Sequence, residues 1–264
     1  MDLTLPGSTP SDRCDPSFEV LLAAAQAAPL HGWDLSWLRD RIEEQPLPWS
    51  FGELARKAID DAESLLDIDT GGGENLARLQ PLPARTVATE AWEPNVAPAV
   101  ARLRPLGVDV RVHRHGDRLP AADGEFDVVL NRHGHFDPAE LWRVLRPGGL
   151  FLTQQVGADN DLALNEALGA PAVAHPRALT LDTAVSALRR VGFEVVDGRD
   201  ARPTMLFRDI AAVVYQLRAV PWQIADFDVD RYDRQLRNLH RYIREHGAFT
   251  AHHHRLLVVA RKHP

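Results

Sequence analysis

Ser64-Leu65-Leu66-Asp67-Ile68-Asp69-Thr70-Gly71-Gly72-Gly73-Glu74-Asn75-Leu76 runs from a short apolar segment through two acids into three successive glycines, then into a helix-forming stretch. That is the order in which the first strand of an α/β sheet delivers a ligand to a helix N-terminus. Glycine suits the turn because a backbone without Cβ bends sharply and lets a ligand lie against it. The same turn could close a helix or a hairpin, so its meaning depends on the flanking sequence.

Outward from it, strand-forming and helix-forming segments alternate. Apolar, β-rich runs fall at 64–69, 86–89, 108–112, 126–130, 149–156, 193–196 and 256–260, with helical stretches between most of them, which predicts an α/β fold with a doubly wound parallel sheet. Asp137-Pro138 opens a helix that stops at Pro147-Gly148-Gly149, and Gly192 follows a helix over 182–191. Upstream, a loose tail over 1–12 leads to Asp15-Pro16, an N-cap followed by proline, for a helix that ends before Pro29. Ser50-Phe51-Gly52-Glu53 fits a capping box for a second helix. Trp33, Trp37 and Trp49 crowd the interval between these two helices.

The interval between the last two strands is too long for a plain loop in a compact domain. Residues 205–220 read as an apolar helix, and Tyr232, Leu236, Leu239 and Ile243 as one face of another that closes at Gly247. The expected organisation is a tail and helical cap over 1–62, then a sheet domain over 63–264 carrying a helical insertion at 200–253.

Composition narrows the function classes. The chain has 264 residues, 45% of them hydrophobic, enough for a sizeable core. A formal charge of -7 with scattered arginines disfavours a nucleic-acid partner, whose recognition needs clustered cations. The single cysteine, Cys14, excludes an intrachain disulfide and a cysteine-based zinc site. No apolar run reaches the roughly 20 residues that span a membrane, and the start lacks a basic segment followed by an apolar one, so a cytoplasmic protein is expected. His252-His253-His254 does not read as a metal site, because neighbours on an extended chain point apart. No metal is expected.

Ligands of open α/β sheets bind beyond the carboxyl ends of the strands. The first strand ends at Asp67 to Gly73. The second ends at Glu90, 19 residues beyond Gly71, a spacing suited to a carboxylate that accepts from both hydroxyls of a ribose. After the third comes Gly116-Asp117-Arg118-Leu119-Pro120, where Asp117 suits an adenine amino group. The fourth ends at Asn131-Arg132-His133-Gly134-His135 and the fifth at Thr153-Gln154-Gln155.

Four stretches resemble the class I S-adenosylmethionine-dependent methyltransferases: 66–73, Glu90, 116–120 running on to Phe126-Asp127-Val128-Val129, and Val144-Leu145-Arg146-Pro147-Gly148-Gly149. The resemblance covers roughly residues 60 to 200 and the final strand. It implies a Rossmann-like, seven-stranded sheet whose last strand is antiparallel, with the cofactor across the strand ends. It further implies Gly71 and Gly73 at the methionine part, Glu90 at the ribose and Asp117 at the adenine. Asp69 departs from the pattern, standing where the family has its first glycine. Aspartate tolerates the left-handed backbone region, and Asp67 with Asp69 suits a cationic sulfonium or ammonium. Arg118 and Asn131 complete the expected cofactor set. A nicotinamide cofactor is the rival on this fold, but its fingerprint needs a small residue where Leu76 stands.

The expected reaction is direct, in-line methyl transfer to a small molecule. Such a reaction needs alignment of a nucleophile and the handling of one proton, for which His133 is the candidate. Arg132, His135, Gln155 and Trp222 are the expected substrate contacts, under a roof made by Trp33, Trp37 and Trp222. An RNA or protein acceptor, or a non-catalytic S-adenosylmethionine-binding protein, is the alternative.

Overall fold

The computed structural model describes residues 16–30, 32, 35–171 and 179–263. In chain order its strands and α-helices are α1 Phe18–Ala27, β1 Ile42–Glu44, α2 Phe51–Ile59, β2 Ser64–Ile68, α3 Glu74–Ala77, β3 Arg85–Glu90, α4 Glu93–Leu103, β4 Asp109–Val112, β5 Phe126–Arg132, α5 Pro138–Val144, β6 Leu145–Val156, α6 Leu162–Leu168, α7 Leu181–Arg190, β7 Glu194–Ala201, β8 Thr204–Phe207, α8 Ile210–Ala219, α9 Asp233–His246, β9 Phe249–His252 and β10 Arg255–Arg261. The tail, Cys14, Asp15 and Trp33 lie outside the described residues. The cap of α1 is Ser17, whose hydroxyl accepts from Val20 N, so the helix starts later than Asp15-Pro16 suggests.

Seven strands form one sheet in the order β4-β3-β2-β5-β6-β10-β7. β10 is antiparallel to both of its neighbours, while β2 is parallel to β3 and β5. The strand order reverses beside β2, so a crevice opens at the carboxyl ends of β2 and β5. The two-residue alternation of the strands decides which side chains face that crevice. Leu66, Ile68, Val129, Phe151 and Val258 pack on one face with residues of α5 and α7, such as Leu141 and Leu188. Leu65, Ala88, Val128, Leu130, Leu152 and Leu257 pack on the other with Ala55, Leu76 and Ala99 of α2, α3 and α4. Asp67, Glu90, Arg132 and Gln154 continue this second parity beyond the core, toward α2.

A separate core lies above the carboxyl edge of the sheet. Phe18, Leu21 and Ala25 of α1 pack there with Leu164 and Leu168 of α6, nearly all of α8, and Leu236, Leu239 and Ile243 of α9. This unit has its own antiparallel sheet, β1-β8-β9, joining the N-terminal segment to the interval between β7 and β10. Here the all-helical expectation needs correction, because Met205, Leu206 and Phe207 are strand and the helix starts only at Ile210. Asp209 enforces the break: it caps α8 by accepting from Ala212 N at 2.8 Å. Met205 and Phe207 then alternate with more exposed neighbours while pairing with β1 and β9.

Candidate active site

The turn after β2 is built around Asp69, which adopts φ +56°, the left-handed region that its family position requires. Its N–H donates to Thr89 Oγ1 at 3.4 Å and the next N–H, of Thr70, to Thr89 O at 2.9 Å, tying the turn to β3. Gly73, at φ +80°, is required twice over: a Cβ there would stand 2.7 Å from Leu103 Cγ of α4. Gly71, at φ +65°, has open space where its Cβ would be. The backbone is therefore bare toward the crevice at Gly71 and packed at Gly73.

Glu90 ends β3 and is only 4% exposed. Its Oε2 accepts from Gly71 N and its Oε1 from Trp92 N, both at 2.7 Å. Burial raises its pKa despite those bonds, which favour the charged form. Each carboxylate oxygen keeps a further lone pair for a ligand hydroxyl. Trp92, 51% exposed, and Val112, directly opposite Glu90 in register and 63% exposed, give an apolar surface next to this carboxylate. Sequence reading passed over Trp92; the available signal was a large aromatic two residues past the strand-end acid. Asp117 is exposed on the loop after β4, where its carbonyl accepts from His113 Nε2 at 3.1 Å. Arg118 of the same loop pairs outward with Asp123 at 2.9 Å.

Asp69 also ties the crevice together from below. Its Oδ2 accepts from His115 Nε2 at 2.8 Å and from His135 N at 2.9 Å, while Oδ1 is buried without a hydrogen-bond partner. This closeness needs Gly134, where a Cβ would fall 2.5 Å from Asp69 Cβ. Asp67, facing the crevice, has its pKa pushed up to about 7 by burial, with the charges of Asp69 and Glu90 adding to the shift.

A cleft of about 320 Å³ runs from this turn under α2, lined by Trp49, Phe51, Arg56, Asp67, Asp69, Arg78, Arg132 and Gln154 among others. Trp49, on the segment between β1 and α2, is buried and donates from Nε1 to Gln154 Oε1 at 2.9 Å. An indole N–H can only donate, so the other end of Gln154 is its NH₂, and this faces His133 Nε2 at 3.0 Å. His133 Nε2 is thereby the acceptor and its ring proton sits on Nδ1. The ring is open on one side, but the protein crowded around it and the neighbouring Arg132, Arg255 and His253 hold its pKa well below the ordinary range. It is neutral near pH 7 and, in this arrangement, has its basic nitrogen occupied by Gln154.

Other expected contacts sit deeper or farther away. Asn131 is fully buried: its Nδ2 donates to Ile68 O at 3.1 Å, and its Oδ1 accepts from Thr153 Oγ1 at 3.0 Å and Gln155 Nε2 at 2.5 Å. Gln155 also donates to Gly134 O at 3.0 Å, so both amides buttress the 131–135 turn from beneath. Trp37 stacks on Tyr215 at 4.7 Å inside the upper core, and Trp222 is 48% exposed on the turn after α8. Neither lines the cleft, so the expected tryptophan roof is corrected: Trp49 and Phe51 provide the wall. His253 Nδ1 donates to Glu44 Oε1 at 2.9 Å and His254 Nε2 to Asp200 Oδ2 at 3.1 Å. Among the described residues no three His, Cys, Asp or Glu side chains are arranged to hold a metal, and no helix is long and apolar enough to cross a membrane.

Residues 66–153 match the family described as "Methyltransferase domain". No curated protein matches the chain. Among solved structures, a protein assigned as a methyltransferase from Bacillus halodurans is 19% identical, with a TM-score of 0.60 over 81% of this chain and 99% of its own. YcgJ from Bacillus subtilis is 17% identical, with a TM-score of 0.56 over 81% and 98%. The [4+2]-cyclase SpnF is 18% identical, with a TM-score of 0.51 over 92% and 91%. At these identities the structural likenesses speak for the fold. Together with the family match over residues 66–153 and the strand order, they define the class: this part of the chain is a methyltransferase domain on the class I S-adenosylmethionine-dependent fold. It is an enzyme of that class, with S-adenosylmethionine as its cofactor.

Proposed function

We propose that this methyltransferase acts on a small molecule, seated in the cleft between the Asp67–Asp69 turn and the Trp49–Phe51 wall. The observation that carries the reading is the cleft itself: about 320 Å³, walled by side chains of α2, α3 and the strand ends. A net charge of -7 also fits poorly with a nucleic-acid acceptor.

The residues at the turn fit the cofactor. Gly71 is bare toward the crevice, the Glu90 carboxylate is fixed beside it, and Asp69 Oδ1 lacks a partner. On this reading Glu90 accepts from the ribose hydroxyls, Trp92 and Val112 support the adenine ring, and Asp117 accepts from its amino group. Asp67 and Asp69 supply negative potential for the cationic part, with Gly71 and Gly73 shaping the backbone around it. The bound cofactor supplies a methyl group already activated on a sulfonium. The chain's own contribution is then alignment, exclusion of water and proton management. His133 serves as base only if Gln154 releases its Nε2; while the amide holds it, His133 can donate from Nδ1 and orient an acceptor. Arg132 lines the cleft, and the His135 ring packs against that of His115.

SpnF is described as a cyclase on this same fold, so fold and cofactor do not fix the reaction. The test is release of S-adenosylhomocysteine from S-adenosylmethionine with a panel of small hydroxylated, amine and carboxylate metabolites, run beside bulk RNA and a protein mixture. Turnover with a small acceptor supports the reading. Turnover confined to RNA or protein overturns it, and cofactor binding with no turnover on any acceptor favours a binding protein.

A further inference from the structure

The cleft is charged unevenly. Its turn side carries Asp67 and Asp69, whereas the rest of its wall carries Arg56, Arg78 and Arg132. Arg56 is committed to the backbone, donating to Arg78 O at 2.7 Å, Gln80 O at 2.8 Å and Leu79 O at 3.4 Å, where it closes the end of α3. The guanidinium groups of Arg78 and Arg132 have neither an ion pair nor a hydrogen-bond acceptor among the described residues. Glu44, the carboxylate whose field reaches Arg132, accepts from His253 Nδ1 at 2.9 Å. Burial and the like charge of Arg78 both disfavour the cationic form of Arg132.

Arg85, Arg102, Arg111, Arg143, Arg202 and Arg237 pair with acids, whereas Arg39, Arg104, Arg114, Arg189, Arg234 and Arg241 are, like Arg78 and Arg132, without a side-chain partner among the described residues; what sets Arg78 and Arg132 apart is that both line the one cleft. Two guanidinium groups lining one cleft without a counter-ion repel each other, a cost that a bound anion reverses. Arginine's planar fork matches carboxylate and phosphate oxygens. The position is also telling, since Arg132 immediately precedes His133.

We infer that the methyl acceptor carries an anionic group, a carboxylate or a phosphate, seated between Arg132 and Arg78. This rests on the methyltransferase reading and adds the charge of the acceptor. The anion fixes one end of the molecule on the arginines and leaves its nucleophilic atom beside His133. The competing occupant is the carboxylate of the cofactor's own methionine part, and the test must separate the two.

The full chain is saturated with S-adenosylhomocysteine and titrated calorimetrically with benzoate and, separately, with inorganic phosphate; both titrations are repeated without S-adenosylhomocysteine. At least one anion should bind. Its affinity should fall about tenfold or more in Arg132→Gln and in Arg78→Gln, with Arg132→Lys keeping part of it. The preferred anion tells carboxylate from phosphate. Affinity for S-adenosylhomocysteine should stay within about twofold of wild type in each variant. The inference is overturned if neither anion binds, if both substitutions leave anion affinity unchanged, or if they weaken S-adenosylhomocysteine about as much as the anion. Failure of the wild type to bind S-adenosylhomocysteine would instead sink the methyltransferase reading, while the titrations without it still report on the arginine pair.

Discussion

Replacing Glu90 by Gln removes one charge and little volume, at a point where both oxygens are in use. Oε2 takes Gly71 N and Oε1 takes Trp92 N, each at 2.7 Å, on a side chain 4% exposed. Glutamine offers one oxygen and one NH₂, so one of the two backbone N–H groups must face a donor. Leaving such a buried group unsatisfied costs about 1–3 kcal/mol, which should lower the melting temperature measurably. The ribose contact falls separately: a hydrogen bond to a charged group contributes about 1.5–3 kcal/mol, so the Kd for S-adenosylhomocysteine should rise on the order of ten- to a hundredfold. Glu90→Ala should weaken binding at least as much and leave both N–H groups free. Calorimetry reads the affinity and thermal unfolding the stability. A variant with lowered stability but unchanged affinity would make Glu90 a brace for the turn and remove it from the cofactor site. No change in either would refute the reasoning.

Three further outcomes follow from the same geometry. Asp67 titrates near 7 in the folded chain against about 3.9 unfolded, so the folded state holds the extra proton between these values. Its contribution is complete below about pH 4 and is lost as the pH rises through about 7; wild type should lose about 2–3 kcal/mol between about pH 5 and pH 8, and Asp67→Asn should lack that component in thermal or denaturant unfolding at each pH. Gly134→Ala would put a methyl 2.5 Å from Asp69 Cβ, and should cost about 1–3 kcal/mol in urea unfolding while weakening cofactor binding through the displaced turn. His133 should show nitrogen shifts of the Nδ1–H tautomer in NMR, and Gln154→Leu should release that preference; an unaltered tautomer would deny Gln154 its role.

The sheet was legible because strand parity and turn chemistry agree along most of the chain. Asp137 caps α5 by accepting from Ala139 N, Gly192 sits at φ +106° after α7, and each expected strand overlaps an observed one. Asp69 was also readable, as an aspartate able to hold a left-handed turn. The strands of the upper unit were not, since 42–44, 204–207 and 249–252 are short and pair only across long sequence separations. A pattern of three or four residues cannot show such a partner. The same reason hid the cleft wall. Trp49 reaches Gln154 across 105 residues, whereas Trp37, equally conspicuous in the sequence, is taken up by Tyr215. Asn131 and Gln155 sit at the right strand ends, but a sequence does not say which amide faces the crevice and which lies beneath it.

The central claim is that the Asp67–Gly73 turn and Glu90 hold S-adenosylmethionine. Calorimetric titration of the full chain with S-adenosylmethionine, S-adenosylhomocysteine and NAD tests it most directly. The first two should bind at one site per chain and compete with each other, and NAD should give no response. Tight NAD binding with no response to the other two would contradict the account.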